Sequence, residues 1–153
     1  MNNKLKKIVL FAGDIIILYF SLYLTLLIRY GFSPEAGTWS RHFWPFTIIF
    51  LFWLIIFYIS DLYNLNLAVN NSRFYRIGLR AIIISAFLSL TFFYLAPQIN
   101  IAPKRNLFIY ILVFSILFII WRQFFNWSLK AYLPKNNIAI IGYNEQIKEL
   151  IEG

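Results

Sequence analysis

The chain has 153 residues, of which 61% are hydrophobic, 21% aromatic and only 13% charged. Water-soluble domains are about half apolar and roughly a quarter charged, which excludes a cytosolic enzyme of this size, while the lack of Cys and the single His exclude disulfide, thiolate and zinc-cluster chemistry. Lys and Arg outnumber Asp and Glu by 14 to 6, but the basic residues lie between apolar blocks, the arrangement that membrane topology imposes, and no nucleic-acid partner is expected.

Four blocks are apolar enough to cross a hydrocarbon core of about 30 Å, which takes about 20 helical residues. The first runs from Ile8 to Ile28 behind Lys4, Lys6 and Lys7. It is too long for a signal-peptide core, contains Asp14 and ends in Ile28-Arg29-Tyr30 with no small-residue cleavage site, so it reads as a retained helix. Asp14 is the acidic residue inside a span, and a charge at the bilayer centre costs about 2.5 to 3.5 kcal/mol. It is therefore expected to face protein. At about 100° per residue Ser21 and Thr25 share its arc, giving the helix one polar stripe. Gly31, Pro34 and Gly37 then break the chain.

The second span runs from Phe43 to Ser60. His42, beside Arg41 and Trp44 at its mouth, reads as a solvated interfacial residue, and Trp53 at mid-span as a packing residue. After the polar stretch Asn64 to Ser72, the third span runs from Ile77 to Ala96 and carries Ala81, Ser85 and Ser89 at intervals of four, a pattern that lets helix backbones approach closely. Arg80 lies near the start of this span at a depth similar to Asp14, so the expected internal contact is an Asp14–Arg80 ion pair within a structural bundle. Pro97 and Pro103 bracket the next turn, and Asn106 reads as an N-cap. The fourth span, about 107–123, is shorter as an apolar run; Arg122 is expected to snorkel to the headgroups, with Phe124, Phe125 and Trp127 at the interface beyond it. Trp39, Trp44, Trp121 and Trp127 fall where aromatic belts occur.

With the N-terminus inside, Lys4, Lys6, Lys7, Arg73, Arg76, Arg80, Arg122, Lys130, Lys135 and Lys148 are cytoplasmic, against Arg29, Arg41, Lys104 and Arg105 outside. That division obeys the positive-inside rule and returns the C-terminus to the cytoplasm. After Pro134 the composition changes. Asn137 to Gly142 reads as a short buried strand and Asn144 as the cap of an amphipathic helix carrying Ile147, Leu150 and Ile151, the opening βα unit of a Rossmann-like fold. Gly142 is the only glycine where the dinucleotide fingerprint needs three, and Glu145 and Ile147 oppose phosphate binding, so no cofactor is expected on this chain. The fold class is therefore all-α membrane: four transmembrane helices over 1–133, then over 134–153 the start of a Rossmann-like domain whose remainder would belong to a longer protein.

Phe11-Ala12-Gly13-Asp14, Leu27-Ile28-Arg29-Tyr30-Gly31, Ser60-Asp61-Leu62-Tyr63, Ile101-Ala102-Pro103-Lys104-Arg105-Asn106, Trp121-Arg122 and Asn137 to Gly142 occur in the order seen in one family. The chain resembles the N-terminal region of the polyisoprenyl-phosphate hexose-1-phosphate transferases, the bacterial sugar transferases that initiate exopolysaccharide or O-antigen assembly. The resemblance implies an inner-membrane anchor that can also support self-association, for an enzyme whose substrates are a nucleotide sugar and a polyprenyl phosphate such as undecaprenyl phosphate. It places the catalytic carboxylates, and the Mg ion they would use, in a C-terminal domain outside this chain, so no catalytic, cofactor-binding or metal-binding residue is assigned here. Membrane-bound nucleotide-sugar dehydratases and epimerases are similar over the same spans but require NAD. A third reading, a non-enzymatic four-helix component of a glycan-lipid flippase, leaves the half Rossmann unit without a purpose.

Overall fold

The computed structural model describes residues 3–32, 36–65, 72–96 and 103–132. They form four helices, α1 (Asn3–Tyr30), α2 (Thr38–Ile59), α3 (Ser72–Leu95) and α4 (Pro103–Tyr132), and no strand occurs among them. The expected strand Asn137 to Gly142 and the helix after it lie outside the described residues. All four helices are long and apolar enough to cross a membrane, which makes the chain a multi-pass membrane protein.

Each helix outruns the apolar block that announced it. The 28 residues of α1 start at Asn3 and the 30 of α4 at Pro103, so α4 is about 45 Å long against a hydrocarbon core of about 30 Å. Polar and aromatic residues continue the helical ladder into the headgroups and beyond, where apolar counting stops. Pro103 suits the first helical position, since its missing N–H would have no intrahelical partner there. Asn106 is consequently a residue of the first turn and not the cap.

Consecutive helices are antiparallel and form a ring in which α1 packs on α4 and α2, and α3 on α2 and α4, with no close backbone approach between α1 and α3 or between α2 and α4. The centre is filled by aromatic side chains at helical spacing: Phe46, Phe50, Trp53 and Phe57 of α2 interlock with Tyr110, Phe114 and Phe118 of α4 across the diagonal. Trp53 and Phe114 meet edge to face with centroids 4.9 Å apart, an arrangement that adds about 0.5 to 1.5 kcal/mol beyond area burial. Van der Waals packing of this kind has to hold such a bundle, because lipid tails are as apolar as the helix surfaces.

The end of α2 is built with unusual care. Ser60 caps it and Asp61 adopts a left-handed φ of 57°. The Leu62 N–H then donates to the Phe57 carbonyl at 3.1 Å and the Asp61 N–H to the Tyr58 carbonyl at 3.1 Å. These two bonds define a Schellman turn, and the buried Leu62 and Phe57 supply its usual apolar contact. The turn also fixes the direction in which the Leu62 carbonyl leaves the helix.

Candidate functional site

On α1 the core-facing positions are Leu10, Asp14, Leu18, Ser21, Leu22, Thr25 and Leu26, all buried. On α4 they are Leu107, Tyr110, Phe114, Phe118, Arg122 and Phe125. Asp14 and Arg122 thus occupy the inner stripes of two antiparallel neighbours, and the register brings them to the same level. Arg122 Nη2 donates to Asp14 Oδ2 at 2.7 Å, with 1% and 0% of the two side chains exposed.

Arg122 is held from several directions. Its Nη1 donates to the Leu62 carbonyl at 3.1 Å, the acceptor delivered by the Schellman turn. Its guanidinium lies over the rings of Phe118, Phe74 and Tyr63 at 4.8, 5.5 and 5.6 Å, and such cation–π contacts are stronger where water is excluded. The Tyr63 hydroxyl and the Trp121 indole N–H lie close to Asp14. They do not meet hydrogen-bond geometry, which leaves Asp14 Oδ1, the Tyr63 hydroxyl, Trp121 Nε1 and Arg122 Nε as unpaired polar atoms gathered at one point. Burial, and then the nearby Asp14 carboxylate, push the Tyr63 phenol upward, so it stays protonated. Gly13 completes the arrangement: a Cβ there would overlap the Trp121 ring, so only glycine lets the indole lie against the α1 backbone.

These contacts correct two expectations. Asp14 is buried against protein, but its partner is Arg122 and not Arg80. Arg80 is exposed, one position and therefore about 100° away from the buried Ala81, on a helix that does not approach α1. Arg122 does not snorkel to the headgroups, because it continues the buried stripe of Phe114 and Phe118 at intervals of four. That periodicity was the available signal for its burial.

A second polar cluster closes the opposite end of the bundle. His42 is 3% exposed rather than solvated. Its Nδ1 lies 2.7 Å from the Thr38 carbonyl and its Nε2 2.9 Å from Asn106 Nδ2. An amide nitrogen can only donate, so Nε2 accepts from Asn106 and Nδ1–H donates to Thr38. The same Asn106 nitrogen donates to the Tyr30 hydroxyl at 3.2 Å, tying α1, α2 and α4 together. Between the two ends, Ala81, Ser85 and Ser89 are buried on α3, and Trp53 Nε1 donates to Ser89 Oγ at 2.8 Å. Ser21 and Thr25 are also buried and return their hydroxyls to the carbonyls of Ile17 and Ser21. Trp44 and Trp127 are largely exposed and Trp39 less so.

Among the described residues no group of three His, Asp or Glu side chains comes together. The chain matches no family model, no curated protein and no solved structure. The buried ion pair, its turn and its aromatic collar are therefore interpreted on chemistry alone. A carboxylate pinned by a guanidinium and shielded from water is suited to holding helices in register.

Proposed function

We propose that this chain is the membrane-anchoring portion of a bacterial inner-membrane enzyme that transfers a sugar 1-phosphate from a nucleotide sugar to a polyprenyl phosphate, with both termini cytoplasmic and the chemistry carried by a domain beyond residues 1–153. The observation that supports this reading is the convergence of three of its motif segments. Gly13 and Asp14 of the first, Leu62 and Tyr63 of the second, and Trp121 and Arg122 of the third meet in one buried lock. Segments far apart in the chain thereby acquire a common physical purpose, which is to hold a rigid platform. The orientation is supported by the antiparallel ring, which collects Lys4, Lys6, Lys7, Arg73, Arg76 and Arg80 at one end, opposite Arg29, Arg41 and Arg105.

The test has two parts. Membranes containing residues 1–153 alone, supplied with radiolabelled nucleotide sugar and polyprenyl phosphate, should give no lipid-linked product. The coding sequence downstream of Gly153 should encode a basic amphipathic membrane segment followed by paired carboxylates, and membranes carrying that longer protein should form the product when Mg is supplied. A downstream glycine-rich NAD loop with a Tyr-x-x-x-Lys dyad would overturn the transferase reading in favour of the dehydratases.

A further inference from the structure

A cleft of about 410 Å³ opens at the Lys7 end of the bundle, between the start of α1 and the turn after α2, and is lined by Lys7, Tyr58, Ile59, Asp61, Tyr63 and Asn64. Lys7, Phe11 and Asp14 are spaced to share one face of α1. Asp14 lies in the buried ion pair, Phe11 packs edge to face on Tyr63 at 5.6 Å, and Lys7 comes one turn further out. On the other side the Schellman turn lays Leu62 into the core while Asp61 and Asn64 line the cleft. The cleft therefore stands directly over the ion pair, with Tyr63 as its floor.

Lys7 and Asp61 place a cation and an anion on this one cleft without pairing with each other. Neither side chain has another hydrogen-bonding or charged partner among the described residues. Asp61 lies just beyond the membrane-spanning stretch of α2 and Lys7 near the start of that of α1, the depth at which lipid headgroups sit. Ile59 at the cleft, with Ile55 one turn before it on α2 and Ile8 on α1, exposes apolar surface suited to acyl chains. We propose that this cleft binds the headgroup of a phospholipid carrying both a phosphate and a primary ammonium, a phosphatidylethanolamine-type lipid, with the phosphate on Lys7 and the ammonium on Asp61. An ammonium supplies N–H donors to the carboxylate, which a quaternary choline lacks, and a purely anionic headgroup would meet Asp61 as a like charge. This site is independent of the transferase reading.

The experiment is native mass spectrometry of the purified, delipidated full chain titrated with phosphatidylethanolamine, phosphatidylcholine and phosphatidylglycerol of identical acyl chains. Phosphatidylethanolamine should bind about tenfold tighter than either of the others, the ratio expected for one charge-assisted hydrogen bond. Asp61→Asn should remove that preference and leave phosphatidylglycerol binding unchanged or stronger, whereas Lys7→Gln should weaken binding of all three lipids, which share the phosphate. Both variants should fold, since Gln is a good helix former and Asn tolerates the left-handed conformation, and the melting temperature of the delipidated protein verifies it. Equal binding of the three lipids, a preference for phosphatidylglycerol, full retention of the preference in Asp61→Asn, or unchanged binding of all three lipids in Lys7→Gln would overturn the proposal. So would competition by soluble glycerophosphoethanolamine as effective as that of the lipid.

Discussion

Asp14 and Arg122 show how a single residue pair can dominate a membrane bundle. Removing one partner strands the other charge where neither water nor a counter-ion reaches it, a loss of about 3 to 5 kcal/mol in buried pairs. Asp14→Asn and Arg122→Gln should each lower stability in detergent unfolding by that order, whereas the double variant Asp14→Leu/Arg122→Met should lose clearly less than either. Equal losses for all three would dismiss the coupling. Arg80→Gln, on the exposed face, should change little. Gly13 offers a second test, because its Cβ position is filled by the Trp121 ring while the nearest atom at Gly78 is Phe118 Cε1 at an ordinary 3.5 Å. Gly13→Val should destabilise by about 1 to 3 kcal/mol through overpacking, and Gly78→Ala should be neutral or stabilising, both read from the same unfolding curves. That Asp14 must face protein was legible from its depth alone. Its partner was not, because depth selects every basic residue at that level, and only the face of the helix separates Arg122 from Arg80.

At the scale of the elements, polarity marked the four spans well and their ends poorly. A helix goes on for as long as its backbone hydrogen bonds do, and the bilayer edge does not interrupt them. Asn106 illustrates the cost of that ambiguity. A residue type that favours caps was read as one, whereas it lies inside the helix and its amide ties His42 to Tyr30. Three residues from three helices carry that contact, and no local pattern announces it. The α2–α3 seam is different, since small residues four apart carry their own geometric message. Ser85 is fully buried there, so Ser85→Leu should force the helices apart, seen as lost monodispersity in size-exclusion chromatography. Phe87→Leu, at a largely exposed position of the same helix, should be tolerated.

For the molecule as a whole, charge bias gives an expected sidedness that requires no knowledge of packing. Reporter fusions after Leu62 and Pro134 should report cytoplasm, and those after Gly37 and Gln98 should not; a periplasmic signal at Pro134 would reverse the orientation. The ring order of the helices was not legible, since antiparallel connections of this length allow several arrangements of four cylinders. It follows from which faces interlock, above all from the aromatic column shared by α2 and α4. The lock at the Lys7 end was likewise hidden, because Gly13, Leu62 and Trp121 contribute a missing Cβ, a backbone carbonyl and a flat ring, none of which is conspicuous in a string of letters.

The separation of 108 residues between Asp14 and Arg122 also has a consequence for biogenesis. At synthesis rates of about 5 to 20 residues per second, Asp14 leaves the ribosome at least several seconds ahead of its counter-charge. Throughout that interval the nascent first helix carries an acid with no partner, and it must stay protonated, stay shallow or stay in the care of the insertion machinery. Closing the ring between the first and last helices is therefore expected to act as a completion check. A chain released early keeps an exposed polar defect in the membrane, a feature by which quality-control proteases can distinguish it from the finished bundle. In pulse-chase experiments, a chain ending at residue 100 should be degraded faster than the same fragment carrying Asp14→Leu, and the 153-residue chain should reverse that order. Identical lifetimes for the two fragments would show that the unpaired acid goes unnoticed.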